Sequence, residues 1–383
     1  MGEDRTVLVL GAGIGGTVAA RVLRKKLPSD VRVVLVDRED THVFAPSLLW
    51  LMSGDRTPQA ISRGRERLER RKIEFLRGEA EGFDADRRTI RVAGQDVSFE
   101  HVVFALGAQP APDMFPGLDE GAINIYTPDG AMQAGRALRS LDGGRVAVLI
   151  AKLPYKCPAA PNEAAFLAEA MLRRRGAKAE VDLYTPEPFP MPTAGEAAGA
   201  AVAEMLAGRG IRLHTGRVLQ EVAGTTKQLI FDGGERADYD LLLVVPPHRT
   251  ANIVAGSGLS NEGGFIPVDA ATLATKAAGI HAIGDVTQIP IAGGKFLPKA
   301  GVFAKAQAIV VAKRIADELS GREPSATFDG HGSCFVDMGE GVAAFATGDF
   351  YAAGAPEVSL RRPSRRWHIA KVAWERYWLA RWA

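Results

Sequence analysis

Residues 6 to 16 read Thr6-Val-Leu-Val-Leu-Gly-Ala-Gly-Ile-Gly-Gly16. The run 6–10 predicts a buried strand, and residues 17–26 predict a helix. Between them lies a Gly-x-Gly-x-x-Gly pattern formed by Gly11, Gly13 and Gly16. The first glycine permits a tight turn, the second lets the backbone approach a pyrophosphate, and the third lets helix and strand pack closely. The stretch therefore predicts a dinucleotide site at a helix N-terminus.

Three later segments extend this site. The next predicted strand, 31–36, ends at Asp37, where a carboxylate can accept ribose hydroxyls. The segments 102–108 and 280–285 each read as a strand that ends in a turn of small residues. This order resembles the flavoprotein disulfide reductase superfamily, which has two dinucleotide-binding domains. The resemblance implies FAD, with Asp285 on the ribityl chain and Ala80, Gly107 and Gly284 also at the cofactor. The alternative for Asp285 is a helix N-cap, and both roles can hold.

An internal repeat indicates the domain organisation. Residues 73–78 resemble residues 211–216, and each segment leads through a meander to a further strand, 99–104 or 239–244. The predicted fold class is α/β, with two tandem Rossmann-like domains, the second inserted in the first, and a membrane-associating C-terminal tail. We expect an FAD-binding domain at 1–120 and 255–335, a second Rossmann-like domain at 121–254, and a quinone- and membrane-binding segment at 336–383.

The second domain lacks an intact nucleotide turn. Its first strand, predicted at 145–150, runs into Ala151-Lys-Leu-Pro-Tyr-Lys-Cys157-Pro-Ala-Ala-Pro-Asn-Glu163, which has no glycine. Prolines and a lysine cannot let a pyrophosphate approach the backbone closely. The electron donor is therefore expected to be something other than NAD(P)H.

Composition sets further bounds. The 383 residues have a net charge of +2, so no overall field favours nucleic acid. The N-terminus reads directly into a strand without the pattern of an export signal, and no apolar run reaches membrane-spanning length. We expect a cytoplasmic protein bound peripherally to the inner face of the cell membrane. The only cysteines are Cys157 and Cys334, and such a pair in the cytoplasm is more often catalytic or inert than a structural disulfide.

Cys157 stands where the second glycine turn would be. It precedes Pro158 and a helix predicted over 160–175. The helix N-terminus, with Lys152 and Lys156, would favour its thiolate. The alternative is that both cysteines are small buried packing residues.

The chain resembles the sulfide:quinone oxidoreductase and flavocytochrome c sulfide dehydrogenase family over nearly its whole length. The motifs are Lys156-Cys-Pro-Ala-Ala-Pro-x-Glu163, Pro246-Pro-His-Arg249, Leu297-Pro-Lys-Ala-Gly301, Cys334-Phe-x-Asp-Met-Gly339 and Lys371-Val-Ala-Trp374. The resemblance implies a disulfide or polysulfide bridge beside the flavin, with Cys334 facing the isoalloxazine and Cys157 as the outer sulfur. Sulfide attacks one sulfur, and the freed thiolate donates to the flavin.

The resemblance also suggests roles for three other residues, each with a structural alternative. Glu163 matches a proposed proton carrier, but a first-turn carboxylate is also favoured by the helix dipole. Lys299 is expected near the flavin pyrimidine ring, or else on the surface. His248 is a candidate for the flavin pocket or quinone site, or a satisfied structural group. The other histidines show no ligand spacing, so no metal is predicted.

The chain departs from the family pattern in two places. Where the family pattern has a third cysteine, near the segment matched by residues 125–128, this chain has none. Its absence leaves the mode of sulfur release open. No cysteine occurs near residues 41–44, where the cytochrome-linked members attach the flavin covalently. FAD is therefore expected to be non-covalent.

The last 23 residues contain seven Lys or Arg, one Glu and four of the five tryptophans. Trp374, Trp378 and Trp382 are spaced four apart and share a helical face. Indoles and basic groups favour a membrane interface, so this face is predicted to be an in-plane membrane anchor. Docking on the protein core or on a partner subunit is the alternative. By resemblance, Phe335 and Trp374 sandwich the quinone ring, and Lys371 lies in the same site.

Three other functions remain open. A flavocytochrome-type sulfide dehydrogenase is disfavoured by the missing export signal and flavin-linking cysteine. A type 2 NADH:quinone dehydrogenase is disfavoured by the broken second turn. A redox-sensing flavoprotein would not turn over with quinone. The expected partners are sulfide, a membrane quinone and the membrane surface, and an oligomer is possible.

Overall fold

The computed structural model describes residues 5–383, apart from the side chains at positions 67 and 69. Residues 1–4, on which the expectation of no export signal partly rests, lie outside the described residues. A five-stranded parallel sheet, the first sheet, organises the N-terminal part of the chain. Its strands are, in spatial order, Ile280–Ala282, His101–Phe104, Thr6–Leu10, Arg32–Asp37 and Glu74–Arg77.

A second five-stranded parallel sheet repeats this arrangement. Its order is Ile123–Asn124, Leu241–Val245, Gly143–Ile150, Lys178–Tyr184 and Arg212–His214. Each sheet is accompanied by a three-stranded antiparallel meander, formed by Ala80–Asp84, Thr89–Val92 and Gln95–Ser98 in one case and by Leu219–Ala223, Gln228–Phe231 and Arg236–Asp238 in the other. The matching order confirms the internal repeat and the predicted α/β class with two Rossmann-like units.

The helices cover the sheets. They are Ile14–Lys26, Leu48–Ser53, Pro58–Ile61, Glu66–Glu69, Leu118–Gly121, Pro128–Ser140, Ala160–Arg175, Glu196–Ala207, Asn252–Gly256, Gly301–Leu319 and Arg365–Arg381. The first sheet and the helices Ile14–Lys26 and Gly301–Leu319 bury one apolar core, and the helix Ala160–Arg175 lies in the core of the second sheet.

Short two-stranded pairings complete the units. They join Thr41–Val43 to Ser62–Gly64, Gln109–Pro110 to His248–Arg249, Ile266–Pro267 to Thr287–Gln288, and Pro290–Ile291 to Lys295–Phe296. Among residues 5–383, no helix combines the length and apolar character that a membrane crossing requires.

The C-terminal part forms an antiparallel sheet followed by a helix. The strands His331–Asp337, Ala343–Asp349 and Glu357–Ser364 pair in sequence, and the helix Arg365–Arg381, the tail helix, follows at once. The predicted domain boundary at 335/336 therefore falls inside a strand. The reason is that Cys334 and Phe335 pair with Ala346 and Phe345.

Two helix predictions fare differently at their starts. The helix over 160–175 has the predicted bounds. The first helix begins at Ile14, three residues before the predicted start, and includes Gly15 and Gly16. An earlier start brings its first free amides into the glycine turn, where they can point at a phosphate.

Candidate active site

The first glycine turn has the shape that a pyrophosphate requires. Gly11 has φ +91°, and a Cβ on it would lie 2.6 Å from the Ala105 carbonyl oxygen. A Cβ on Gly16 would lie 1.7 Å from the Gly11 oxygen, so only glycine lets helix and strand meet here. At Gly13 a Cβ would meet nothing within 4 Å, which leaves the exposed backbone there open to a ligand. The geometry of Gly11 and Gly16 agrees with their predicted roles, and the approach of a pyrophosphate to the backbone at Gly13 stays a prediction.

Two acids border the same site. Asp37 accepts a hydrogen bond from the Ala12 amide at 2.6 Å, at the end of the second strand. Among the described residues, no partner reaches the buried Oδ1 of Asp285, and burial raises the pKa of this carboxyl. An orphaned buried acceptor costs free energy, and a ribityl hydroxyl is a donor that would satisfy it. The residues present therefore fit a dinucleotide flavin.

Three more predicted cofactor residues lie near these turns in the fold. Gly107 follows the strand His101–Phe104 with φ +65° and open space at its Cβ position, and Gly284 has φ +72° and donates its amide to Gln307. Ala80 is buried at the start of the first meander. Their contacts to FAD remain predictions.

The segment 151–159, here called the bridging loop, crosses from the second sheet to the first unit. Lys156 and Lys299 form a parallel bridge, and the Cys157 amide donates to the Lys299 carbonyl at 2.6 Å. Lys299 Nζ in turn donates to the carbonyls of Asp285 and Thr287 at 2.8 and 2.9 Å. Burial lowers the pKa of Lys299 to about 8. Lys299 is therefore not a surface lysine, since it joins Cys157 to the Gly284–Asp285 turn.

Cys157 itself has an uncommon backbone conformation. Its φ is +57°, a value that L-residues other than glycine rarely adopt. Strain of this kind costs about 1–3 kcal/mol and is concentrated at active sites. A residue that only filled space would not need this conformation, so the backbone favours a functional role for the sulfur.

The structure brings the two cysteine side chains together as free thiols. The neighbouring Cys157 side chain, together with burial, raises the pKa of the Cys334 thiol well above its ordinary value, and the Cys334 thiol donates to the Phe335 carbonyl at 3.4 Å. The pair comes from different units, the bridging loop and the strand His331–Asp337. Two neighbouring thiols can form a disulfide and reopen it.

A cluster of three ionisable side chains lies next to Cys334, and it is called the buried charge cluster below. Lys371 Nζ lies 3.0 Å from Glu163 Oε2 and 3.6 Å from Asp337 Oδ2. The Asp337 amide donates to Glu163 Oε1 at 3.0 Å. All three side chains are at least nine-tenths buried. Glu163 is therefore more than a first-turn carboxylate at the helix dipole.

The two carboxylates of this cluster differ in proton affinity. Burial raises the pKa of Asp337, but the neighbouring His368 and the charge of Lys371 outweigh burial and lower this pKa to about 2. Burial raises the pKa of Glu163, although Lys371 opposes it. Burial alone would lower the pKa of Lys371, but the two carboxylates outweigh it and raise that pKa. Glu163 is thus the member that takes up a proton first.

The cluster reaches toward solvent through the tail helix. His368 Nδ1 lies 3.4 Å from Asp337 Oδ2, and the His368 side chain is 26% exposed. Trp50 Nε1 donates to the same carboxylate oxygen at 3.0 Å and lies under the Lys371 ammonium. The chain of contacts from Cys334 to His368 is suited to moving a proton.

The second nucleotide turn is filled by protein. Tyr155, in the bridging loop, donates its hydroxyl to Glu187 Oε2 at 3.1 Å, and Thr185 Oγ1 donates to the same oxygen at 3.3 Å. Burial raises the pKa of Glu187 to about 7. Both side chains lie beyond the ends of the strands Gly143–Ile150 and Lys178–Tyr184, where a nucleotide would bind in an open turn. No glycine there makes room for one.

His248 lies on the bridging-loop side of the site. It packs against Tyr126 with ring centroids 5.4 Å apart, and Tyr126 donates its hydroxyl to the Lys156 carbonyl. Burial and the neighbouring Lys156 lower the pKa of His248 to about 3, so the ring is neutral. Its role at a flavin or quinone remains a prediction.

The prediction that the tryptophan face of the tail helix meets lipid is wrong. Trp378 is fully buried beside Phe44, and its Nε1 donates to His42 Nε2 at 3.3 Å. Glu375, on the same face, pairs with Arg56 at 2.7 Å. The four-residue spacing does place the indoles on one face, but that face covers the core of the first unit.

Phe335 and Trp374 belong to separate aromatic groups. Phe335 contacts Phe345, which stacks on Trp367, whereas Trp374 contacts Phe44 and Trp378. The predicted sandwich around a quinone ring stays a prediction, and Lys371 is engaged with the buried charge cluster.

Several residues of the site have no role predicted from the sequence. Asp337 was inside a quoted motif without a role, and Tyr155 was within the run that replaces the glycine turn. Trp50, His368 and Glu187 gave no local signal, because only the fold brings them to their partners.

Comparisons with known proteins agree with this geometry. A family model described as pyridine nucleotide-disulphide oxidoreductase matches residues 5–309. The mitochondrial sulfide:quinone oxidoreductase of Mus musculus is 23% identical over 361 residues, which cover 90% of this chain and 78% of the mouse protein. The sulfide-quinone reductase of Aquifex aeolicus is 24% identical over 395 residues, which cover 97% of this chain and 90% of that protein.

A solved structure is similar over nearly the whole chain. The X-ray structure of the sulfide:quinone oxidoreductase from Aquifex aeolicus matches with a TM-score of 0.88 at 23% identity, covering 98% of this chain and 90% of that one. At this identity the likeness shows a shared fold.

Proposed function

Because this chain belongs to the pyridine nucleotide-disulphide oxidoreductase family, we propose that it oxidises sulfide through a Cys157–Cys334 disulfide and FAD and reduces a membrane quinone. The chain is an FAD-dependent oxidoreductase, as the family match and the glycine turn require. The observation that supports the proposal most strongly is that the Cys157 and Cys334 side chains neighbour each other, while the Cys157 amide bonds to Lys299, whose side chain reaches the Gly284–Asp285 turn.

The cysteine pair accounts for the sulfur chemistry. Attack of HS⁻ on one disulfide sulfur breaks the S–S bond, forms a persulfide on that cysteine and releases the other as a thiolate. Joining that thiolate to the persulfide gives a bridge with one extra sulfur, and it releases one proton and two electrons. FAD, when bound, supplies an acceptor for both electrons. The sulfide sulfur has then passed from the −2 to the zero-valent state.

The buried charge cluster accounts for the proton. Glu163 lies close enough to Cys334 to influence its thiol electrostatically, and it is the carboxyl with the raised pKa. Lys371 and Asp337 connect it to the partly exposed His368. We propose that Glu163 accepts the proton released at the sulfur and that this chain of groups passes it outward.

The bridging loop accounts for the choice of electron donor. In this chain Tyr155 and Glu187 close the second nucleotide turn, so a nicotinamide cofactor has no backbone to approach. This contact favours sulfide over the type 2 NADH dehydrogenase alternative.

The membrane contact is also a proposal, and it now rests on the outer face of the tail helix. Ile369 and Tyr377 are 66% and 53% exposed on that face. Four exposed arginines lie on the same helix, Arg365, Arg366, Arg376 and Arg381, and two more, Arg361 and Arg362, lie in the strand Glu357–Ser364 that precedes it. Apolar tips within a basic rim suit an anionic lipid surface, in keeping with a peripheral position on the inner face of the cell membrane.

Steady-state turnover tests the proposal. The FAD-loaded protein is mixed anaerobically with sulfide and a short-chain ubiquinone analogue, and quinone loss is followed by absorbance. We expect sulfide-dependent quinone reduction and none with NADH. Quinone reduction that requires NADH and ignores sulfide would assign the chain to the NADH dehydrogenases instead.

A further inference from the structure

Two histidines and a glutamate converge at the first sheet, on the side of the strands' amino-terminal ends. The glycine turn lies at the opposite, carboxyl-terminal ends of the strands. His101 begins its strand, His281 is the middle residue of the adjacent strand, and Glu318 is at the end of the helix Gly301–Leu319. One ligand atom from each residue lies within 4.8 Å of the other two. The His101 Nδ1 atom is 3.7 Å from Glu318 Oε2.

The imidazoles are buried without partners. His101 and His281 are only 8% and 4% exposed. Within residues 5–383, neither ring nitrogen of His281 has a hydrogen-bond partner, nor has Nδ1 of His101. Each buried polar atom left unsatisfied costs about 1–3 kcal/mol. A ligand that binds these nitrogen atoms would remove this cost and so stabilise the fold.

We propose that His101, His281 and Glu318 bind one divalent transition-metal ion, with Zn²⁺ as the ion that fits best. Two imidazole nitrogens and one carboxylate form a ligand set that zinc accepts, with a fourth position left for water. At bond lengths of about 2.0–2.1 Å, tetrahedral ligand atoms lie about 3.3 Å apart. The observed separations, 4.8 Å or less, therefore need to shorten by at most about 1.5 Å, and the partly exposed Glu318 side chain provides the entry side.

The local charges set the strength of this site. Burial lowers the pKa of His281 to about 3, so its ring is neutral and retains a lone pair. Arg5, Arg88 and Arg314 face the histidines, and each is already engaged, Arg5 with Glu100 and the other two with backbone carbonyls. Their positive charges oppose a cation and so weaken its binding.

The site is separate from the redox centre. The glycine turn and the Gly284–Asp285 turn follow the carboxyl ends of the parallel strands. His101 and Glu318 lie at the amino-terminal ends of these strands. The metal would tie the last turn of the helix Gly301–Leu319 to two strands of the FAD-binding unit. Its role is structural, so its loss should lower stability and leave sulfide:quinone turnover unchanged.

Titration with Co²⁺ tests the site. The FAD-loaded protein is stripped with a chelator, dialysed and titrated with CoCl₂, with absorbance read above the oxidised flavin bands. The wild type should saturate at one Co²⁺ per chain, and Zn²⁺ should displace it. Glu318→Gln and His281→Ala should each lose at least tenfold in affinity. The control His331→Ala, at an exposed histidine outside the cluster, should bind as the wild type does.

Thermal melting supplies a second readout. Zn²⁺ should raise the melting temperature of the wild type and of His331→Ala but not of Glu318→Gln. Should His281→Ala fail to fold, Glu318→Gln decides the matter, because it changes a partly exposed side chain conservatively. Wild-type protein that takes up no Co²⁺, or Glu318→Gln that binds it with wild-type affinity, would overturn the proposal.

Discussion

At the scale of single residues, the surroundings of Cys334 decide how readily its sulfur ionises. The neighbouring Cys157, burial and the charge of Glu163 all raise the pKa of the thiol, while Lys371 lowers it. The reduced pair therefore holds a proton that must leave before the thiolate can donate electrons. The charge of Glu163 disfavours the loss of this proton, and the charge of Lys371 favours it.

Glu163→Gln should make Cys334 ionise at lower pH. The change removes a negative charge that disfavours the thiolate, so the pH profile of Cys334 alkylation should move down by roughly one pH unit. Lys371→Met should move it up. Alkylation of the reduced protein by iodoacetamide, resolved by peptide mass spectrometry, gives the profile. Glu169→Gln on the same helix is the matched control, and an unmoved profile in Glu163→Gln would refute the assignment.

Glu187 gives a second residue-scale prediction, on stability. Its pKa is about 7 in the folded protein and 4.5 for an ordinary glutamate, so the folded state binds the extra proton between these values. The stability that this proton contributes to the folded state is fully present below pH 4.5. It is lost as the pH rises to 7, which lowers the free energy of unfolding by at most roughly 3 kcal/mol. Glu187→Gln cannot titrate, so its stability relative to the wild type should rise across this window.

Urea unfolding at several pH values measures the effect. The control is Glu196→Gln, at an exposed position at the start of the helix Glu196–Ala207. A constant difference between Glu187→Gln and the wild type from pH 4.5 to 7 would contradict the account.

Part of the site could be predicted from residues alone. Gly11, Gly13 and Gly16 have a local spacing fixed by their function, so sequence suffices for them. Tyr155 and Glu187 meet only because two strands of one sheet end side by side, and no spacing in the chain encodes that. For the same reason, histidines that show no ligand spacing converge with Glu318 at a sheet edge.

At the scale of elements, the tail helix has two faces with different tasks. Its inner face buries Trp378 and pairs Glu375 with Arg56, while its outer face presents Ile369 and Tyr377. Periodicity predicted that Trp374, Trp378 and Trp382 share one helical face, and they do. It could not say which surface covers the indole face, because a protein core and a lipid surface accept the same side chains.

Substitutions on the two faces should therefore separate stability from membrane binding. Trp378→Ala should lose about 3–5 kcal/mol of unfolding free energy, since it empties a filled core position. The double variant Ile369→Ser with Tyr377→Ser should change stability by less than about 0.5 kcal/mol but weaken flotation with anionic phosphatidylglycerol vesicles. Urea melts and vesicle flotation are the measurements. A double variant that floats like the wild type would place the membrane contact elsewhere.

At the scale of the whole molecule, two similar Rossmann-like units have diverged in one turn. The first unit has the glycine turn, and the second has the bridging loop in its place. In this loop the Cys157 amide donates to the Lys299 carbonyl of the first unit. The repeat could be predicted because both units follow one strand order. The docking of the bridging loop on the first unit could not, because it depends on how the units pack.

This divergence predicts the donor specificity of the whole protein. NADH should not reduce the flavin at rates that matter for turnover, because Tyr155 and Glu187 occupy the second turn. Stopped-flow mixing of the FAD-loaded protein with NADH, under anaerobic conditions, measures this directly. Rapid bleaching by micromolar NADH would mean that the turn opens and that the donor is misassigned.

The central claim is that Cys157 and Cys334 act as one redox unit between sulfide and FAD. Anaerobic addition of sulfide to the FAD-loaded wild type should bleach the flavin absorbance. In Cys157→Ala and in Cys334→Ala, sulfide should leave the flavin oxidised, and the double variant should be no worse than either, because removing one sulfur breaks the whole unit. All three variants should still bind FAD, since the glycine turn uses neither cysteine. Near-normal bleaching in either single variant would show that the pair is packing, and it would contradict the mechanism.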